Sequence, residues 1–378
     1  APELSAKRDS GFSIFYMAIN IGALFAPTAA VRIKEWAEHS LGYSGNDAYH
    51  FSFAVACVSL IVSMMIYYAF RSTFKHVEAG AGKSKKTDTA GTEEELTPQQ
   101  TKERIVALCL VFAVVIFFWM SFHQNGLTLT FFADEFVSPK SEGVQTMAFD
   151  VINLVMIIFM IYSLMSFFQS KTSKAKLIST VVFLAAVGVL VYKYHNIGGP
   201  VDVSAPIFQQ FNPFYVVALT PVSMAIFGAL AAKGKEPKAP RKIAYGMIIA
   251  GCAYLLMVLA SRGLLTPNAQ AAAKAAGETV PFASGNWLIG TYLILTFGEL
   301  LLSPMGISFV SKVAPPKYKG AMMGGWFVAT AIGNLLVSVG GYLWNDIPLT
   351  IVWSVFIVLC LLSAGFMFLM MKRLEKVA

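Results

Sequence analysis

Charge is scarce in this sequence. Of its 378 residues only 13% are Asp, Glu, Lys or Arg, about half the share usual in a soluble globular chain. That argues against a soluble protein. Cysteine is equally sparse: Cys57, Cys109, Cys252 and Cys360 lie in apolar segments and form no CxxC pair, so neither a disulfide framework nor a zinc site is indicated, and all four read as packed apolar residues. Histidine occurs five times and supplies no pair of axial ligands within the apolar segments, which argues against haem. No nucleophile with an adjacent base stands out, so enzymatic activity is not expected. The chain also lacks the charged, apolar and small-residue succession of a signal peptide and starts at Ala1, so a further segment is expected upstream.

What is abundant is hydrophobicity. Apolar residues make up 56% of the chain, the mean hydropathy is +0.63, and the apolar residues fall in long blocks separated by short polar stretches. A helix needs about 20 such residues to cross the hydrocarbon layer, and ten segments qualify: approximately 11–31, 51–70, 105–131, 147–168, 177–194, 213–232, 243–261, 287–310, 320–343 and 350–371. The predicted class is an all-α polytopic membrane protein.

Basic residues give an independent check on that count, since Lys and Arg concentrate in cytoplasmic loops. With a cytoplasmic N-terminus, the inside loops hold Lys7, Arg8, seven residues from Arg71 to Arg104, Lys171, Lys174, Lys176, five from Lys233 to Lys242, Lys312, Lys317, Lys319, Lys372, Arg373 and Lys376. The outside loops hold Arg32, Lys34, Lys140, Lys193, Arg262 and Lys274, only six of the 29. Both ends of this multi-pass chain are thus expected in the cytoplasm, at the cell (inner) membrane. The net charge of +8 follows this loop pattern, not a nucleic-acid-binding face. Residues 74–104 replace apolar residues with Gly, Lys, Thr and Glu and read as a cytoplasmic linker.

Within hydrocarbon an ionisable side chain is expensive, on the order of 3 kcal/mol for a central charge, and marks a candidate functional site. The clearest is Glu299. Tyr292, Thr296, Glu299 and Ser303 follow at helical spacing and form one polar stripe, and Pro304 is expected to kink the helix beside the acid. In 105–131, His123 and Gln124 interrupt an apolar helix. His123 reads either as a proton-handling group or as a packed histidine. The first segment aligns Ser13, Tyr16 and Asn20 and is expected to end at Pro27; 320–343 aligns Trp326, Thr330 and Asn334, while Gly320, Gly324, Gly325 and Gly333 read as close-packing positions. Asn212, ahead of Pro213, either caps a helix or contacts a ligand.

Three stretches together resemble the proton-coupled oligopeptide transporter family of the major facilitator superfamily. FSIFYMAINIGAL, at 12–24, is similar to that family's FYxxINxG signature on its fifth transmembrane helix. ELLLSP, at 299–304, with VAPPKYKGAMMGGWFVATAIGN after it, resembles its tenth and eleventh helices, and QQFNPFYVV with KGKEPKAPRKIAYG resembles the eighth helix and the loop to the ninth. The resemblance implies a major facilitator superfamily fold in which these ten helices belong to fourteen, the first four lying upstream together with an ExxER motif. Residues 1–73 then hold the last two helices of the N-terminal bundle, 74–104 the linker, and 105–378 the C-terminal bundle with an extra helix pair at about 147–194.

It further implies a secondary active transporter carrying di- and tripeptides into the cell with protons, using no cofactor and no metal; its partners are peptides, protons and membrane lipid, with no nucleic acid. Asn20, Asn212, Glu299, Ser303 and Trp326 match positions lining the family's substrate cavity, Glu299 meeting the peptide's amino terminus, with Tyr16, His123, Gln124 and Thr330 as cavity or proton-coupling candidates. One departure stands out: relatives carry an acid before the glutamine where this chain has FHQ. The alternative reading is a superfamily transporter of another small solute, such as nitrate, a drug or a glycoside.

Overall fold

The computed structural model describes residues 2–73 and 96–377, with side chains from Ile14 onward. The greater part of the expected linker, and the side chains of Lys7, Arg8 and Ser13, therefore lie outside the described residues. In chain order the helices are α1 (Pro2–Leu41), α2 (Gly45–Ala69), α3 (Pro98–Phe122), α4 (Thr128–Phe136), α5 (Val151–Gln169), α6 (Ser173–His195), α7 (Phe211–Ala232), α8 (Ala239–Ala260), α9 (Pro267–Ala275), α10 (Gly285–Val313), α11 (Lys319–Leu336), α12 (Ser338–Tyr342), α13 (Leu349–Leu369) and α14 (Met371–Val377). Ten spans among the described residues are long and apolar enough to cross a membrane, one for each segment marked by hydropathy. The protein is an all-α, multi-pass membrane protein.

The described residues form two compact units, one comprising residues up to Pro27 with those from Pro98 onward, the other running from Thr28 to Thr97. In the smaller unit α1 does not stop at Pro27. A proline removes one backbone hydrogen bond, which a long membrane helix tolerates, and the polar turns beyond it are held by Arg32–Glu35 at 3.6 Å and Lys34–Glu38 at 2.9 Å. α1 ends at Gly42, whose φ of 73° suits glycine at a helix C-terminus. Ser52 Oγ donates to the Ala30 carbonyl at 2.9 Å, and Phe51 packs edge-on against Trp36 and Tyr43.

In the larger unit α8 is packed on both α10 and α13. Small residues permit this. A Cβ at Gly246 would lie 2.6 Å from the Gly298 carbonyl oxygen, and one at Gly251 3.3 Å from the Cys360 Cβ, so the helices meet nearly backbone to backbone. The buried Tyr254 hydroxyl donates to the Ser121 carbonyl, tying α8 to α3, and Trp353 Nε1 donates to Ser261 Oγ at 2.8 Å. At one end of the unit α14 is anchored by Arg241–Glu375 (2.5 Å) and Lys376–Glu103 (3.3 Å); at the other, Trp344 Nε1 and Lys274 Nζ donate to Glu135 at 3.0 and 2.8 Å.

Several boundaries differ from the hydropathy reading, for physical reasons. α3 starts at Pro98, inside the expected linker, because its first turns lie in a polar setting where Gln99 and Glu103 hydrogen-bond at 3.3 Å. The segment read as one helix over 105–131 breaks at a 3₁₀ turn, His123–Gly126, before α4. α10 runs through Pro304, as the 287–310 segment does. α9 is too polar to register as a span, yet Thr266 caps it and Pro267 occupies its first turn. The extra pair α5–α6 is bracketed by two-residue strands, β1 (Lys140–Ser141) and β2 (Val201–Asp202), which pair antiparallel. Among the cysteines only Cys360 is buried; Cys57, Cys109 and Cys252 face outward, so three of the four do not pack in the protein interior.

Candidate functional site

Glu299 sits mid-helix on α10 and is 4% exposed. The 3.6-residue period predicts its stripe, and the structure turns that stripe toward two other helices. From α1, the Tyr16 hydroxyl donates to Glu299 Oε1. From α7, Asn212 Nδ2 donates to Glu299 Oε2 at 2.7 Å and to Thr296 Oγ1 at 3.0 Å. The side chain of Asn212 is thus committed to α10 and does not cap its own helix. Three helices converge on one carboxyl group.

The donors differ in how firmly they are held. Thr296 Oγ1 donates to the Tyr292 carbonyl at 2.8 Å, and the Tyr292 hydroxyl donates to the Asn125 carbonyl at 2.8 Å. Asn212 thus joins Glu299 to Thr296, and Tyr292 on the same stripe separately ties α10 to the 3₁₀ turn carrying His123. Asn20 Nδ2, by contrast, donates to the Tyr16 carbonyl on its own helix at 2.9 Å. Ser303 Oγ is buried in the same region with no hydrogen-bond partner among the described residues.

Both groups that hold the Glu299 oxygens are neutral. Among the described residues no Lys, Arg or His pairs with it. A carboxylate taken out of water without a cation costs several kcal/mol, and two neutral donors offset only part of that, at about 1.5–3 kcal/mol each when the acceptor is charged. The chemistry such a group favours is uptake of a proton or association with a cationic ligand. No three His, Cys, Asp or Glu side chains gather as a metal site among the described residues.

The remaining candidates make other contacts. Trp326, 2% exposed, lies flat over Gly306, where any Cβ would collide with its ring, and meets the Phe112 edge at 6.5 Å. Thr330 Oγ1 donates back to the Trp326 carbonyl at 3.1 Å, and Asn334 is exposed. His123 stacks on Trp119 with centroids 5.0 Å apart and meets the Phe122 edge at 5.4 Å. Gln124 is fully buried: Nε2 donates to the Met120 and Val337 carbonyls at 3.2 and 3.0 Å, and Oε1 accepts from Thr128 at 3.0 Å. Those bonds use both of its N–H donors and one of the two acceptor sites of Oε1. Gln124→Ala is expected to cost about 2–4 kcal/mol through orphaned carbonyls and a cavity, read as a lowered unfolding temperature in detergent; unchanged stability with altered transport would instead place Gln124 in the transport path.

Tyr162 on α5 escaped the sequence reading, since a lone tyrosine in an apolar helix has no periodic signal. Its hydroxyl donates to the Val217 carbonyl at 3.0 Å and touches Met17 Sδ at 2.9 Å.

Comparison with known proteins places the chain. The chain is 26% identical over 346 residues to dipeptide and tripeptide permease B of Xenorhabdus bovienii, covering 88% of this chain and 60% of the permease. It is 24% identical over 359 residues to the peptide transporter YePEPT of Yersinia enterocolitica, covering 90% and 63%. It thus spans somewhat under two thirds of the length of these curated relatives. A crystal structure of the peptide transporter POT in complex with sulfate superposes with a TM-score of 0.61 at 17% identity, covering 98% of this chain and 69% of that one, which establishes the fold. The model of the POT family matches residues 2–92 and 193–353, two stretches that contain Tyr16, Asn212 and Glu299, and the chain belongs to that family.

Proposed function

We propose that the protein is a proton-coupled symporter that carries di- and tripeptides into the cell by alternating access. The observation that carries the reading is Glu299: a buried carboxyl held by neutral donors from two other helices, with no cation paired to it among the described residues. A peptide's amino terminus and a proton both supply the missing positive charge. Exchange of one for the other at a single carboxyl is the differential interaction that coupling requires. Relatives named as dipeptide and tripeptide permeases support the substrate class.

In this reading residues 1–73 belong to the N-terminal bundle and 105–378 to the C-terminal one, and ten of fourteen helices are seen. Rocking of the bundles about a midplane site separates α1 from α7 and α10, so the Tyr16–Glu299 bond forms and breaks during the cycle. The termini of this chain face the cytoplasm at the inner membrane. Asn20, Ser303, Trp326 and Thr330 line the path of the peptide backbone and side chains, and His123 offers a second proton site. The protein performs no chemical conversion.

The test is uptake of labelled dialanine into proteoliposomes holding the full-length protein, with and without an inward proton gradient. Gradient-driven accumulation blocked by unlabelled trialanine is expected; folded protein that moves nitrate or a glycoside and ignores dialanine would establish the other-solute reading instead. His123→Asn removes the titratable ring while keeping a similar volume. If His123 carries a proton, the pH profile of uptake shifts; an unchanged profile returns His123 to packing against Trp119.

A further inference from the structure

The helix pair α5–α6 falls outside the stretches that match the family model, apart from its last three residues, and its place in the structure is specific. α5 is fixed to the approach to α7. The Phe149 ring packs against Phe208 and Phe211 at 5.1 and 5.9 Å, and Gln210 Nε2 donates to the Phe149 carbonyl at 3.4 Å. Asp150 caps α5 through the Ile152 amide at 2.9 Å and pairs with Lys193, which fastens α6 to the same end. About three turns further along α5, the Tyr162 hydroxyl reaches the Val217 carbonyl on α7 and, at 2.9 Å, Met17 Sδ on α1.

Those two contacts flank the site. Met17 adjoins Tyr16, and Val217 lies five residues beyond Asn212 on the same helix. Tyr16 and Asn212 are the donors that meet on Glu299. Around this carboxyl α1, α7 and α10 therefore touch from the inside, and α5 joins α1 to α7 from behind.

We propose that the α5–α6 pair is a brace, carried on α7, in which Tyr162 holds α1 in place when Tyr16 reaches Glu299. Its role is to extend the closing contact beyond the central cluster, so that the closed arrangement does not rest on the Tyr16–Glu299 bond alone. The proposal builds on the reading of Glu299 as the ligand carboxyl. Tyr162 acts through α1 and α7 as a positioning residue and touches no ligand.

A ligand-free measurement tests it. In the full-length protein in membranes, with Cys57, Cys109 and Cys252 and any further cysteines except Cys360 replaced, Ser303→Cys reports access to the cluster through its rate of modification by a permeant maleimide. Loss of the Tyr162–Met17 contact, at about the net worth of one hydrogen bond, predicts that Tyr162→Phe and Met17→Ala each label at least about threefold faster than their parent. Because both remove the same contact, the double variant is expected to label no faster than the faster single variant. Ser163→Ala, whose hydroxyl donates within its own helix to the Phe159 carbonyl, is expected to leave the rate unchanged.

Unchanged labelling in either single variant overturns the brace, as does a double variant whose effects multiply. Cys360, fully buried against α8, separates local release from general loosening: its modification accelerating alongside Ser303→Cys would also overturn the proposal. No peptide is added, so a protein that transports another solute still answers this test, and a protein that transports peptides can still fail it.

Discussion

Glu299→Gln is expected to abolish gradient-driven accumulation of dialanine, with a fall of at least about 100-fold, equivalent to roughly 2.7 kcal/mol of lost coupling, while the protein still folds. The geometry explains why folding survives. Glutamine matches the shape of glutamate, and its carbonyl can accept from Asn212 at the position of Oε2 while its amide donates to the Tyr16 oxygen, since a phenol both donates and accepts. What disappears is the ability to take a negative charge. Without it the site cannot exchange a proton for an amine, and the two states of the carrier lose the difference in affinity on which coupling rests. Counterflow of labelled for unlabelled dialanine, which needs no net proton movement, is expected to persist in reduced form. Full accumulation by Glu299→Gln would remove this residue from the coupling step.

The second large effect concerns folding. Gly333→Ala is expected to destabilise by about 1–3 kcal/mol, and Gly333→Leu by more, through overpacking. A Cβ at Gly333 would stand 2.6 Å from the Trp119 Cβ and 2.8 Å from the Ile116 carbonyl oxygen. Backbone cannot yield as a flexible side chain does, so α3 and α11 must separate. Gly324→Ala, nine residues earlier on the same helix, carries the opposite sign. Among the described residues nothing lies within 4 Å of its Cβ position, and alanine in an open helical site removes unfolded-state freedom, worth about 0.4–1 kcal/mol of stabilisation. Unfolding temperatures of the two variants in detergent give the comparison; equal shifts would mean that α11 is not seated on α3 as described.

The glycines also show where a sequence stops being informative. Gly320, Gly324, Gly325 and Gly333 form one small-residue pattern, and pattern alone assigns close packing to all four. Among the described residues only Gly325, whose Cβ would lie 2.8 Å from the Phe112 ring, and Gly333 meet a neighbour; nothing lies within 4 Å of the other two. Which face of a helix a partner covers is a property of the assembled bundle, and a single helix's spacing does not carry it.

The ten spans, by contrast, were legible because each must present about 20 apolar residues to lipid whatever its neighbours are. Their ends were less so. Helical turns outside the hydrocarbon need no apolar residues, and α1 beyond Pro27 and α3 before residue 105 are held by ion pairs and hydrogen bonds that hydropathy does not register. The break after Phe122 escaped for a related reason: Gln124 replaces helix bonding by reaching the Met120 and Val337 carbonyls, and the latter is 213 positions away in sequence.

The candidate site divides in the same way. Tyr292, Thr296, Glu299 and Ser303 share a stripe that the helical period reveals, and the cost of a carboxyl in hydrocarbon singles out Glu299. The partners of that stripe come from elsewhere in the chain. Asn212 could be read equally as a cap, and only the folded structure shows its amide spent on Thr296 and Glu299. Trp326 matched the family pattern and now covers Gly306. Tyr162 gave no signal at all.

The central claim is that Glu299 receives the amino terminus of a peptide. Its most direct test is the affinity of dialanine against N-acetyl-dialanine for the full-length protein and for Glu299→Gln. A charge-assisted bond between ammonium and carboxylate is worth about 1.5–3 kcal/mol, so the native protein is predicted to prefer the free amine by about 10- to 150-fold, and Glu299→Gln to bind both peptides alike. Equal affinities in the native protein, or a preference for the free amine that survives in Glu299→Gln, would contradict the account.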